Sequence, residues 1–235
     1  MKVLVIPDVH LKPWMFERAR GLMKKGKAER AICLMDIADD WRQEFNLDLY
    51  MQSYDAAIAF AKEFSDTLWC YGNHDVCYPW NQRETGYSRI APRVVCEKLR
   101  KLEEAVPEGN IAFIHKIDNV LFMHGGLTQR YVEDYVSPKS QQNVDAVIAE
   151  INTFGYSDLW LDESPLWFRP QYERDELYRV DEYLQVVGHT PVERILRVGN
   201  LISCDVFSTD RNRIPIGTQE FLVIDTKTWE FEGVK

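Results

Sequence analysis

The sequence predicts an α/β protein that turns α+β in its second half. Three observations carry that expectation. Apolar runs alternate with amphipathic helical stretches from residue 3 to residue 71, the pattern of strand–helix–strand units. "NIAFIHKIDNVLFMHGG", from Asn110 to Gly126, reads as two strands around Asp118-Asn119, a hairpin that a purely parallel sheet would not contain. Four of the five histidines stand at the ends of strand-like runs, where open α/β sheets place their sites.

The elements follow in order. Residues 3–6 form a continuous apolar run ending in "PDVH", a buried strand. Residues 14–29 carry a basic amphipathic helix pattern. Residues 31–35 are a second apolar run, ending in "DIADD". Leu47, Met51, Tyr54, Ile58 and Ala61 recur at helical spacing, predicting a helix over 47–64. Residues 68–71 are the third strand and deliver "GNHD". Residues 76–87 read as a loop near the site. Ser88 is placed to cap a helix running from 89 to about 104. Val144, Val147, Ile148 and Ile151 predict another helix. Residues 155–175 mix Trp, Pro and charge and read as a long surface connection. "LQVVGHTP" is again a strand ending in Gly-His. Stretches around 194–206 and 219–232 read as antiparallel strands, with "DTKT" as the turn between the last two.

The chain has 235 residues, 46% of them hydrophobic, enough for a large core without disulfides. No internal repeat or interdomain linker is visible, and one domain over 1–235 is expected. The net charge of −9 disfavours an extended nucleic-acid surface, though bound cations could reverse the sign locally. The cysteines are Cys33, Cys70, Cys77, Cys96 and Cys204. An odd number without a C-x-x-C argues against a secreted disulfide framework or a zinc knuckle. Cys77 lies near the candidate site, but nothing beside it marks an activated thiolate. With the first strand starting at Lys2 there is no room for a signal peptide, and no apolar run reaches membrane-spanning length. The expectation is a cytoplasmic protein without a membrane partner.

Asp8-x-His10, Asp36, Asn73-His74, His124-Gly125-Gly126 and Gly188-His189 each end a strand-like run. Taken singly, Asp8 and His10 read as a polar strand end, Asn73 as a turn residue and His189 as a loop histidine. Jointly they offer oxygen and imidazole donors with no thiolate, a set suited to Mn²⁺, Fe or Zn²⁺. His115, inside a strand, reads as an ordinary core or face residue.

With "DVH" at 8–10, "MDIAD" at 35–39, "GNHD" at 72–75, "HGG" at 124–126 and "GHT" at 188–190, the chain resembles the calcineurin-like metallophosphoesterases over nearly its whole length. The resemblance implies a four-layer α/β/β/α sandwich of two mixed sheets flanked by helices, with 76–110 and 127–180 as cap, loop and helical insertions. It implies two divalent ions, Mn²⁺ first, with Fe, Zn²⁺ or Ni²⁺ as alternatives. Asp8 and His10 hold one ion, Asp36 bridges, and Asn73, His124 and His189 hold the other. A hydroxide between the cations attacks phosphorus. His74 serves as general acid, and Asp39 pairs with it. Gly72 is expected to let the strand end sharply. Asp75 is expected to hold the loop, through backbone amides or by orienting a ligand histidine.

"HGGL" and "GHTP" are similar to the protein-phosphatase-like branch, which includes bacterial and phage Ser/Thr phosphatases and diadenosine-tetraphosphate hydrolases. "LWFRP" at 166–170 is similar to an element whose arginine grips phosphate, which makes Arg169 the candidate clamp. The departures are Met35 and Leu11, where the family has glycine, and Asp40, where the branch has arginine. Arg42 comes two residues later and is a second candidate for phosphate. The expected substrate is a phosphoprotein, a nucleotide or a small phosphomonoester. Phosphodiester or dinucleoside polyphosphate hydrolysis on the same centre is the alternative, and a non-catalytic scaffold is the third reading.

Overall fold

The computed structural model describes residues 1–173 and 175–235. The first sheet has six strands. β1 (Lys2–Ile6), β2 (Arg30–Cys33), β3 (Leu68–Cys70) and the short β4 (Ile111–Ala112) run parallel. The second has β5 (Ile114–Ile117), β6 (Val120–Met123), β7 (Leu184–Val187), β8 (Leu196–Val198) and β9 (Leu201–Ser203). β10 (Phe221–Asp225) returns to the first sheet antiparallel to β1, and β11 (Phe231–Val234) pairs antiparallel with β10 at the sheet edge. The orders are β11-β10-β1-β2-β3-β4 and β5-β6-β7-β9-β8. In the second sheet β6, β7 and β9 are parallel, while β5 and β8 pair antiparallel. Both sheets are mixed.

Side-chain alternation builds the layers. Val3 and Val5 point from β1 toward the second sheet and pack with Phe122, Val186 and Ile202. Leu4 and Ile6 point the other way, onto α1 (Trp14–Lys24), α2 (Leu47–Glu63) and α4 (Pro92–Ala105). On the far side, Leu121 and Met123 pack against α5 (Gln129–Tyr135) and α6 (Val144–Ile151). Helix, sheet, sheet and helix therefore stack in that order, each sheet burying both faces.

Several elements differ from the sequence reading. The first helix stops at Lys24 rather than near residue 29, because Gly26 takes φ 68°, a left-handed residue that ends helices. The loop expected over 76–87 starts one residue later, after the single helical turn α3 (Asn73–Val76). Ser88 sits four residues before α4, and its hydroxyl accepts from the amides of Ile90 and Ala91 rather than from the helix itself. The helix α5, capped by Thr128, had no clear periodic signal. Among its described residues, the connection over 155–175 is partly buried rather than wholly a surface loop. It contains α7 (Tyr156–Leu159), and Leu159, Leu166 and Phe168 are buried. Its carbonyls at Pro165 and Phe168 accept from the amides of Gly125 and Gly126, at 2.8 and 3.0 Å. That strap carries Arg169 to the site.

Candidate metal centre and active site

The loops after β1 and β2 are zipped together. The amides of Val9, His10 and Leu11 donate to the carbonyls of Met35, Asp36 and Ile37 at 3.0, 2.7 and 3.0 Å. His10, Leu11, Met35, Asp36, Asp39 and His189 all have φ between 42° and 60°, a left-handed conformation costly for side-chain-bearing residues. Backbone strain of this kind gathers at functional sites. Met35 and Leu11 keep the backbone form that glycine would ease, and both are buried.

Asp36 is the meeting point. One metal-ligand-type cluster is Asp8, His10 and Asp36; another is Asp36, His124 and His189; within each, one donor atom per residue lies within 4.8 Å of the others. Asp36 Oδ2 lies 3.2 Å from His124 Nε2 and 3.8 Å from His10 Nε2. His124 Nε2 is also 2.9 Å from Asn73 Oδ1 and 3.1 Å from His189 Nδ1. The structure thus brings together all six of the side chains named as ligands. Burial would raise the Asp36 carboxyl, but the neighbouring His124, His74 and His10 hold it well below the usual carboxylate range. Burial alone would lower His124, and the Asp36 charge lifts it to about 9. Burial and the charge of His124 push His189 well below its ordinary value.

The donor set fits divalent cations. His10 and His124 can each donate Nδ1–H to a backbone carbonyl, of Asp39 and of Leu34, both at 3.0 Å. That fixes the ring and turns Nε2 toward Asp36. Asp8 Oδ1 accepts from the His189 amide at 2.8 Å. Asp8 Oδ2 and His189 Nε2 are buried with no hydrogen-bond partner among the described residues, lone pairs that a cation would satisfy. Only oxygen and imidazole donors are present, as hard to borderline cations prefer.

Gly72 has an ordinary φ of −96°, so the strand end does not require it. Close approach does: a Cβ there would meet the Asp36 amide nitrogen at 2.6 Å. Asp75 takes the first of its two expected roles. Its Oδ1 accepts from the amides of Ile37 and Ala38, at 3.0 and 3.4 Å, and from Tyr54 Oη at 2.7 Å. It therefore braces the loop that carries Asp36.

His74 hangs its amide on Asp36 Oδ1 at 2.9 Å and faces the cleft. Its Nδ1 lies 2.9 Å from Asp39 Oδ2. Burial would lower the imidazole, but the Asp36 charge and the Asp39 hydrogen bond lift it to about 9. Asp39 Oδ1 in turn accepts from Tyr50 Oη at 2.6 Å and Tyr78 Oη at 2.5 Å. These two tyrosines were not read from the sequence. Cys77 is buried, and that burial, then Asp39, pushes its thiol well above the usual range, so it supplies no thiolate.

The cleft beside these groups holds about 340 Å³. Arg169 lines it, its Nη1 donating to His189 O at 2.7 Å and Thr190 Oγ1 at 3.2 Å. Arg42 stands apart: it is exposed, bonds Asn212 Oδ1 at 3.2 Å, and is not among the residues of the cleft wall. Arg211, unnoticed in the sequence, lines the cleft instead. His115 lies in β5, buried, with Nε2 3.0 Å from Trp69 O. Among the described residues no helix is long and apolar enough to cross a membrane.

Residues 1–214 match the family model for calcineurin-like phosphoesterases. No curated protein matches the chain in sequence. Among solved structures, the cold-active protein-tyrosine phosphatase of a psychrophilic Shewanella species is 18% identical, with a TM-score of 0.58 over 100% of this chain and 80% of that one. A protein serine/threonine phosphatase from Saccharomyces cerevisiae is 13% identical, with a TM-score of 0.50 over 100% and 80%. A hypothetical protein from Pyrococcus horikoshii OT3 is 12% identical, with a TM-score of 0.51 over 100% and 87%. At these identities the likeness is one of fold.

Proposed function

Since this chain belongs to the calcineurin-like phosphoesterases, a metal-dependent hydrolase family, we propose that it hydrolyses phosphomonoesters on a binuclear centre held by Asp8, His10, Asp36, Asn73, His124 and His189. The observation that carries the reading is the His74–Asp39 pair standing beside two ligand clusters that share Asp36. Bound cations would neutralise charge on the phosphoryl oxygens and make a water acidic enough to attack at neutral pH.

The chain's own groups do the rest. Arg169 presents a planar fork of donors to the phosphoryl oxygens, its orientation set by the His189 carbonyl. His74 gives the proton of Nε2 to the leaving oxygen as its bond to phosphorus breaks. Asp39 holds Nδ1–H, and so selects the ring orientation that points Nε2 at the cleft. Tyr50 and Tyr78 saturate the other Asp39 oxygen, which keeps that carboxylate from swinging away. Arg169 on the cleft wall favours a dianionic monoester over a singly charged diester.

The test is a substrate panel on protein loaded with Mn²⁺. p-Nitrophenyl phosphate should be turned over faster than bis-p-nitrophenyl phosphate or diadenosine tetraphosphate. Asp36→Asn should lower the rate more than about a hundredfold. Faster turnover of the diester or the dinucleotide would move the protein to the alternative class. Wild-type activity in Asp36→Asn would remove the binuclear assignment.

A further inference from the structure

We propose that Trp41 and Arg211 form a leaving-group subsite that selects phosphoesters whose alcohol carries a planar ring. The proposal rests on the phosphoester-hydrolase reading and extends it to substrate class.

Position comes first. The leaving oxygen takes its proton from His74, so its substituent lies on the His74 side of the cleft. Trp41 is two residues past Asp39, whose carboxylate holds His74. Trp41, Arg211 and His74 line the same cleft. Arg169 is bonded to the carbonyl of His189, a ligand of the centre, which leaves it the phosphoryl group.

The surface offered there is flat and cationic. Arg211 Cζ stands 5.4 Å from the centroid of the Trp41 ring, within cation–π range. A guanidinium over an indole ring can keep its donor edges free and offer its own plane for stacking.

The pair is held by the residue that departs from the family pattern. Asp40 Oδ1 accepts from the Trp41 amide at 2.9 Å and from Thr209 Oγ1 at 2.8 Å. Asp40 Oδ2 pairs with the buried Lys12 ammonium at 3.5 Å. Asp40 thus joins the Trp41 loop to the Arg211 loop. With Asp40 used as this clamp and Arg42 turned to Asn212, the arginine at this wall comes from the far end of the chain. A planar ring can stack on indole or guanidinium, whereas a puckered ring of equal size makes poorer contact.

The test uses full-length Mn²⁺-loaded protein and two matched pairs of compounds. Benzyl and cyclohexylmethyl phosphate have leaving alcohols of similar size and acidity. 2-Phenylethylphosphonate and 2-cyclohexylethylphosphonate, in which a methylene replaces the ester oxygen, are their non-hydrolysable counterparts, followed by titration calorimetry. Wild type should favour the planar member roughly tenfold in kcat/KM and in Kd. Trp41→Leu and Arg211→Gln should bring both ratios near one while inhibition by inorganic phosphate changes little. Arg211 is exposed, so Arg211→Gln keeps the test available if Trp41→Leu does not fold. A ratio near one in wild type, or one preserved in both variants, overturns the proposal. If neither ester is hydrolysed but the phosphonates keep the planar preference, the hydrolase reading fails and the subsite stands.

Discussion

Asp39 Oδ2 reaches His74 Nδ1 at 2.9 Å across 35 positions of sequence, and its other oxygen is closed off by Tyr50 and Tyr78. In the proposed role of general acid, an imidazole held so firmly matters most where the departing oxygen is basic. His74→Asn should lower kcat on benzyl phosphate by about 10²–10⁴-fold. On p-nitrophenyl phosphate, whose phenolate leaves without a proton, the loss should be much smaller. Asp39→Asn should show the same ranking with smaller losses. Equal losses on the two esters would remove His74 from the role of acid.

Gly188 lies against the Asp8 carboxylate, whose carbon a new Cβ would meet at 3.0 Å. Gly188→Ala should push Asp8 aside and reduce the bound metal measured by elemental analysis. Gly155→Ala is the control, because a Cβ there meets nothing within 4 Å. Equal metal content in both variants would mean that Asp8 is not needed for loading.

Met35 sets two effects against each other. Its φ of 55° costs about 1–2 kcal/mol that glycine would relieve. Its side chain is wholly buried, and removing such a side chain costs about 2–5 kcal/mol. Burial is the larger effect, so Met35→Gly should destabilise the fold by about 1–3 kcal/mol. The midpoint of urea unfolding would show it. A higher midpoint would mean that backbone strain dominates.

Burial pushes the His115 imidazole down to about 4, while an unfolded chain holds it near 6.5. Between those values the unfolded state carries the extra proton, so stability falls as pH falls from about 6.5 toward 4. The difference is about 2 kcal/mol at pH 5. His115→Gln can still donate toward Trp69 O and should unfold with a shallower acid dependence than wild type. Parallel curves from pH 7.5 to pH 5 for the two proteins would contradict it.

The side chains that gather around Asp36 were legible because each sits in a short motif at a strand end, where local pattern and position coincide. The layered architecture followed from the family resemblance, while the strand–helix alternation alone reached only its first half. Contacts between distant segments stayed hidden. Nothing near Tyr50 or Tyr78 tells that their hydroxyls meet on Asp39. The polar and aromatic look of 155–175 masked a strap buried over Gly125 and Gly126. Arg42 drew attention because it follows the Asp36 motif, yet the cleft receives Arg211, brought there by a loop tied to Asp40.

Asp8, His10, Asp36 and Asn73 hang from one sheet, whereas His124 and His189 hang from the other. Ions seated among them would rivet the two halves of the sandwich at its rim. Occupancy then becomes part of the fold's strength: free ion at a hundred times its Kd adds about 2.7 kcal/mol against unfolding. Heat tolerance would rise and fall with the ion supply, and a chelator would loosen the seam between the sheets before any substrate arrived.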